Sequence, residues 1–143
     1  EQSDKTVVHI YFGDPSSRFL TAEKRVIPGY DDPIETGKRI LAELIQGPNS
    51  DRVRTLAPDT RLRSLFLTAD GTAYVDLSRA ATEQHPGGCR EEIFTVYSIV
   101  NSLVLNIEPI KMVKLLIDGQ EAQTLAGHVD LRYCFKADML LIR

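Results

Sequence analysis

Residues 61–78 read RLRSLFLTADGTAYVDLS and contain the clearest turn signal of the chain. Two runs of strand-forming residues, 61–68 and 72–78, flank the triplet Ala69-Asp70-Gly71. Asp-Gly between two such runs is a strong hairpin signal, because the turn residues must tolerate positive φ. Apolar residues alternate along the second run, which is typical of a strand with one buried face. The stretch therefore predicts a β-hairpin.

A helix is predicted on either side of this hairpin. Before it, residues 32–46 carry an apolar stripe at helical spacing, with Asp32 as the N-cap and Pro33 at the first helical position. Glu35 stands three residues after the cap, as in a capping box. After the hairpin, residues 89–105 are apolar on most sides, which predicts the more buried helix of the two.

Further strands are predicted toward both ends of the chain, at residues 7–12, 18–27, 112–117 and 120–125. Residues 139–142 have a strand-like composition, and residues 79–88 read as an irregular crossover. The predicted order is ββαββαββ. We therefore expect an α+β fold (an α/β sandwich), with one mixed, largely antiparallel sheet covered on one face by two helices. Residues 1–143 read as one domain, with a core at about 7–131 and a C-terminal extension at 132–143.

Composition narrows the classes of function. A net charge of −3 and a pI near 5.6 argue against nucleic-acid binding, which needs a concentrated basic patch. No apolar run approaches the roughly 18–20 residues of a membrane span. The chain begins at Glu1 without Met, so a processed or cut form is expected, and an upstream signal peptide or anchor would fix the compartment. Membrane attachment is thus expected only through an anchor outside this chain.

Sequence motifs for common chemistries are missing. The glycines form neither GxGxxG nor GxxxxGK[ST], and neither HExxH nor GxSxG occurs. No catalytic residue, cofactor or metal is therefore predicted.

His128 and Asp130 are alternate residues that could form a ligand pair, and Cys134 or Cys89 could complete a zinc site. The favoured interpretation is that both side chains make hydrogen bonds that fix a loop against the sheet, since a zinc site needs about four convergent ligands.

The two cysteines allow two further hypotheses. Cys89, at a helix start with His85 four residues upstream, could be a thiolate nucleophile. The simpler interpretation is a helix-start residue that happens to be cysteine. Cys89 and Cys134 could also form one disulfide, although two separate thiols are the favoured interpretation.

Polar residues in the strand and helix motifs admit a binding cleft or a structural role. These residues are Asp76, Ser78, Asn101 and Asp118. The structural role is favoured: Asp118 starts an Asp-Gly turn with Gly119, Ser78 ends a strand, and Asn101 satisfies backbone groups beside an apolar helix.

Several short motifs occur in a fixed order along the chain. They are Gly47-Pro48, Leu56-Ala57-Pro58-Asp59-Thr60, Val75-Asp76-Leu77-Ser78, Val100-Asn101-Ser102-Leu103, Val113-Lys114-Leu115-Leu116-Ile117-Asp118-Gly119 and Gly127-His128-Val129-Asp130-Leu131. Over residues 7–131 this ordered set resembles the GerMN domain of sporulation and spore-germination proteins.

The resemblance implies an αββαβ core like the ring-building motifs of secretion and sporulation channel proteins. It also implies an extracytoplasmic domain, tethered to the bacterial cytoplasmic membrane or secreted, with no catalytic residues. We therefore expect a domain that binds other envelope proteins or itself. A glycan or small-ligand module using a cleft near Asp76 and His128 is the alternative, and a Cys/His hydrolase centred on Cys89 is a weaker one.

Overall fold

The computed structural model describes residues 2–143, and side chains from residue 4 onward. Its elements follow the chain as β1 (Gln2–Gly13), β2 (Leu20–Tyr30), α1 (Pro33–Gln46), β3 (Leu62–Leu67), β4 (Thr72–Leu77), α2 (Ala80–Glu83), α3 (Cys89–Val104), β5 (Met112–Ile117) and a 3-10 helix (Met139–Leu141). Helices alternate with strand pairs that are mostly antiparallel, so the predicted α+β class is confirmed.

β1 and β2 form a two-stranded antiparallel ribbon whose outer edge is closed by a helix. The Ser102 Oγ of α3 accepts a hydrogen bond from the Tyr11 N–H at 3.1 Å. The Asn106 side-chain amide, just after α3, pairs with the His9 N–H at 3.0 Å and the His9 carbonyl at 2.7 Å. Unpaired backbone groups are costly, so these side chains occupy the place where a third strand would otherwise pair.

β3, β4 and β5 form a second sheet with β4 in the middle. β3 and β4 are the antiparallel hairpin predicted from the sequence, and Gly71 in its turn has a φ of +93°, a conformation that glycine adopts without strain. β4 and β5 are parallel, and α2 and α3 make the crossover that a parallel pair requires.

α1 begins at the predicted cap and packs closely on β3. The Asp32 carboxylate accepts from the Ile34 N–H at 2.9 Å, and Pro33 is the first helical residue. Gly37 faces β3, where a Cβ would come within 2.7 Å of a Leu65 methyl group. The missing side chain therefore sets how near the helix can approach the sheet.

α3 is the more buried helix, as predicted. Ten of its 16 residues are buried, compared with four of 14 in α1. Its apolar residues pack into a core shared with β1, α1, β4 and β5. None of the helices among the described residues has the length and apolarity to cross a membrane.

A buried ion-pair network joins β2 to the end of α1. The Arg25 guanidinium binds Glu23 at 2.6 Å, Glu43 at 2.8 Å and the Gly47 carbonyl at 2.6 Å. Burial favours the neutral form of Arg25, but the hydrogen bonds that its guanidinium donates to the two carboxylates outweigh this effect and raise the pKa of Arg25. The network fixes the turn after α1 against the ribbon.

The prediction of a single sheet is wrong. The described residues form two sheets with no shared ladder, and the edge of β1 is bonded by side chains of Ser102 in α3 and Asn106 just after it. Residues 120–125 and 139–142 are not regular strands either. They contribute isolated bridges and a 3-10 helix, and residues 80–83 form a helical turn within the predicted crossover.

The possible disulfide between Cys89 and Cys134 is absent, since both thiols are free and exposed. The Phe135 ring next to Cys134 packs edge-on against Tyr97, with ring centroids 5.8 Å apart. Tyr97 lies eight residues along α3 from Cys89, a rise of about 12 Å. A disulfide needs Cα atoms within about 7 Å of each other.

Candidate functional site: the open edge of the three-stranded sheet

β3 is an edge strand with unpaired backbone groups. The Thr68 N–H bonds the Thr72 carbonyl at 2.9 Å, and alternate residues in an antiparallel ladder point toward and away from the partner strand. Phe66 and Ser64 therefore direct their backbone groups toward β4, while Leu65 and Leu67 direct theirs outward. Among the described residues nothing pairs with these outward groups, so the edge can accept another strand.

A groove lies along this open edge, between α1 and β3. It encloses about 510 Å³, and its walls are Lys38, Ala42, Leu62, Arg63, Ser64, Leu65 and Phe66. The Phe66 ring is 61% exposed on the outer face of the sheet. An exposed aromatic residue beside unpaired backbone is typical of a surface that binds an extended segment.

The edge carries opposite charges at its two ends. Arg61 is exposed just before β3, while Arg63 contacts Asp76 at 3.4 Å and Asp118 at 4.0 Å. Asp70, in the turn after β3, accepts hydrogen bonds from the Thr68 hydroxyl and from Thr72. These bonds, the one from Thr68 first, lower the pKa of Asp70, so this carboxylate is ionised at neutral pH.

The opposite edge of the same sheet, on β5, is bridged near both of its ends by the chain that follows it. Val113 and Phe135 exchange two backbone hydrogen bonds, at 2.9 and 2.7 Å. At the other end Ile117 and Gln120 do the same, at 2.9 and 3.0 Å. Between them the Lys114 ammonium reaches over to the Leu131 carbonyl at 2.8 Å. We call residues 120–138 the closing segment.

A buried carboxylate holds the closing segment in place. Glu92 in the first turns of α3 is fully buried, and it accepts hydrogen bonds from the backbone N–H groups of Ala126, His128 and Val129 at 2.9–3.0 Å. The Nδ1 of His128 lies 2.7 Å from the same carboxylate. Burial raises the pKa of Glu92, but these four bonds outweigh it and bring it to about 2. Glu92 is therefore a charged anchor inside the protein.

The order of these motifs along the chain matches a known family. Residues 9–123 match the model of the Germane family, which is described as sporulation and spore germination. The chain belongs to the Germane family. The resemblance to GerMN domains drawn from the sequence is thus confirmed. No curated protein matches the chain with significant similarity.

Solved structures share the Germane fold. One is a candidate lipoprotein from Clostridium perfringens, with 25% identity, a TM-score of 0.66, and coverage of 93% of this chain and 88% of that one. Another is the first GerMN domain of the sporulation protein GerM from Bacillus subtilis, with 22% identity, a TM-score of 0.74, and coverage of 94% and 98%. The tandem GerMN domains of GerM match 91% of this chain and 45% of their own, with 22% identity and a TM-score of 0.74. The two GerM structures show the fold.

The predicted polar residues of this Germane domain lie at turns and segment contacts. Asp76 accepts from the Gly119 N–H at 2.8 Å, and Ser78 accepts from the Arg61 N–H at 2.9 Å. Asp118 and Gly119 have φ of 53° and 78°, which fits a two-residue hairpin turn.

Asn101 holds the end of the closing segment. Its side-chain amide pairs with the Asp138 N–H at 2.9 Å and with the Asp138 carbonyl at 3.2 Å. It is fully buried within α3, so both of its polar groups need such partners.

Asp76 and His128, the residues of the hypothesised cleft, bond different parts of the chain. Asp76 bonds the turn after β5, whereas His128 bonds Glu92 on α3 and Asp130 pairs with Arg132 at 2.9 Å. The side-chain and backbone bonds from Arg132 lower the pKa of Asp130 to about 2. A pocket of about 230 Å³ lies elsewhere, between the loop at residues 53–58 and the start of α3, and none of these residues lines it.

The structure does not place His85 as a base for Cys89. The His85 Nδ1 accepts from the Gly87 N–H at 2.9 Å, so its Nε2 is free to donate to the Thr95 hydroxyl, also at 2.9 Å. Both ring nitrogens are thereby engaged away from Cys89. In the described part of the chain, no three metal-ligating side chains of His, Cys, Asp or Glu come together.

Sequence reasoning misses Glu92 and Asn106, the residues that close two strand edges. The sequence indicates Glu92 only as a favourable charge at a helix start. The apolar residues Ile93, Phe94 and Val96, which follow Glu92 in the helix, are the one available signal that this carboxylate is buried.

Proposed function

We propose that this Germane domain is a non-catalytic protein-interaction domain of the bacterial cell envelope. In this proposal a partner adds an extended segment to the open edge of β3. The observation that carries the proposal is that the backbone N–H and C=O groups of Leu65 and Leu67 point outward without partners among the described residues, beside the groove and the exposed Phe66. Addition of a strand supplies affinity through backbone hydrogen bonds and specificity through alternate side chains.

An extracytoplasmic, anchored location is part of the proposal. It is supported by the similarity to the candidate lipoprotein of Clostridium perfringens and by the sporulation and germination description of the family. In this proposal the anchor lies outside residues 1–143.

The engaged ring nitrogens of His85 favour binding over catalysis. A nucleophilic cysteine needs a base within hydrogen-bond reach and a third group to orient that base. In this domain His85 is held by Thr95 and Gly87 instead.

Site-specific photo-crosslinking in sporulating cells tests the proposal. A photoreactive residue at Phe66 lies on the proposed surface, and one at Val26, which is also 61% exposed but on β2, is the matched control. We expect discrete crosslinked products from position 66 and none of the same mass from position 26. Equal products from both positions, or none from position 66, would refute the proposal.

A second candidate function is binding of a small envelope ligand. The observation in its favour is the pocket of about 230 Å³, whose lining combines the apolar Leu56 and Phe94 with the polar His85 and Glu91. A ligand that prefers the folded state raises the melting temperature. Cell-wall fragments that raise the melting temperature of the wild type, but not that of a Phe94→Ala variant, would support this candidate. No shift with any fragment counts against it.

A further inference from the structure

We infer that the occupant of the β3 edge is the β3 strand of a second copy of this chain, paired antiparallel about a twofold axis beside Phe66. The inference rests on the proposed use of this edge and adds the identity of the partner. It joins two three-stranded sheets into one sheet of six strands.

The irregularity at the start of β3 selects this register. The pairing with β4 shifts between Leu62 and Ser64, so Arg63 lies in a bulge, and the regular part of the edge is confined to the end of the strand. Only Leu65 and Leu67 offer outward backbone groups on that regular part. When Phe66 of one copy lies opposite Phe66 of the other, Leu65 of each copy lies opposite Leu67 of the other. Each of these pairs exchanges two hydrogen bonds, as directly opposed residues do.

A register centred on Leu65 would be worse. It would place Leu67 opposite Arg63, whose outward groups belong to the bulge. The twofold beside Phe66 is therefore the arrangement in which every outward group of the regular edge is paired. It also brings two exposed phenyl rings together at a non-hydrogen-bonded position, where opposed side chains are closest.

The charges of the edge are self-complementary in this register. Asp70 of one copy lies opposite Leu62 of the other, between Arg61 and Arg63 of that copy. Antiparallel pairing thus places the acidic end of each β3 strand against the basic start of the β3 strand in the other copy. No like charges lie directly opposite each other. Neighbouring strands lie about 4.8 Å apart. On the α1 side the groove beside β3 is lined by Lys38 and by the short side chain of Ala42.

The interface is small, so the dimer is weak. Two short strand edges and their flanking side chains bury less than the roughly 1,200 Å² of a stable complex. We therefore expect a monomer–dimer equilibrium that shifts with protein concentration.

Charge-swapped variants of Phe66, followed by sedimentation velocity, test the inference. Phe66→Lys alone and Phe66→Glu alone set like charges across the axis, and each should lower the association constant at least roughly tenfold. An equimolar mixture should restore dimer, because lysine then lies opposite glutamate. Val26→Lys, at a residue of equal exposure on the other sheet, should leave the association constant unchanged.

Three outcomes would overturn the inference. These are a wild type that is monomeric at every concentration, single variants that dimerise like the wild type, and a mixture that forms no more dimer than its components. A monomeric wild type that still gives crosslinks from position 66 to a different envelope protein would leave the proposed function standing. The two proposals can therefore fail separately.

A disulfide assay reads the register directly and does not depend on the charge variants. In a background with Cys89→Ser and Cys134→Ser, Phe66→Cys should oxidise to a covalent dimer, because opposed residues at such positions lie within disulfide range. Ser64→Cys, which lies opposite Thr68 of the second copy, should crosslink far more slowly. Equal rates for the two variants would contradict the register.

Discussion

The two edge strands of the three-stranded sheet have the same length, but only one of them is bridged on its outer side by another part of the chain. β3 (LRSLFL) and β5 (MVKLLI) each have six residues, and both lie beside β4. The β5 edge is bridged at Val113 and Ile117 by the closing segment, whereas the β3 edge has outward groups without partners among the described residues. The difference lies in a neighbouring buried anchor, Glu92, which fixes a covering segment on one side only.

The largest effect is expected from removal of that anchor. Glu92→Ala leaves three backbone N–H groups and His128 without their acceptor, and we expect the free energy of unfolding to fall by about 3–5 kcal/mol. Urea denaturation measures it. The matched control is Glu91→Ala, an exposed neighbour, which should change stability by no more than about 0.5 kcal/mol. Similar losses for both variants would show that Glu92 is not the anchor.

The next effect concerns pH. The pKa of Glu92 is about 2 in the folded protein, below its ordinary value of 4.5, so the ionised carboxylate stabilises the fold above pH 4.5 and this contribution is lost as the pH falls toward 2. The loss amounts to about 3 kcal/mol. Denaturation midpoints of the wild type and Glu92→Gln, measured over this range, should converge at low pH. A constant difference at every pH would contradict the assignment.

A smaller effect is expected at the far end of the closing segment. Asn101→Ala removes both hydrogen bonds to the Asp138 backbone, and we expect a loss of about 1–2 kcal/mol. Hydrogen exchange should quicken in residues 135–143 while β3 and β4 keep their protection. If exchange rose equally throughout, Asn101 would stabilise the fold as a whole and not this segment.

The smallest effect is expected at the open edge. Phe66 is 61% exposed, so Phe66→Lys should change the stability of the monomer by no more than about 0.5 kcal/mol. Thermal unfolding at low protein concentration measures it. A loss as large as that of Glu92→Ala would mean that the β3 edge is part of the fold and not a free surface.

Local signals in the sequence predict the parts of the fold that local chemistry determines. The Asp32-Pro33 cap and the Asp70-Gly71 turn act within a few residues, and both elements lie where predicted. The division into two sheets depends on Asn106 and Ser102 reaching a strand almost one hundred residues earlier. Periodicity contains no information about such contacts, since a buried polar residue on a helix reads the same whatever it binds.

The candidate site is predictable only in part. An Asp-Gly hairpin implies two strands, but nothing in residues 61–78 tells which of them stays at the edge. That outcome follows from the parallel pairing of β5 with β4 after the crossover through α3. The sequence predicts a hydrogen-bonding role for His128 against the sheet, whereas its partner is the Glu92 carboxylate on α3.

The closed β5 edge has a consequence for the size of any assembly built on this sheet. A sheet with two free borders can add copies without limit, which is the geometry of fibrils. Here the bridges at Val113 and Ile117 occupy the β5 border, so the proposed addition of a strand at β3 would leave the sheet no open border from which to grow. In the proposed arrangement, pairing through this sheet would therefore be limited to two copies. A larger array would have to grow from other faces of the domain.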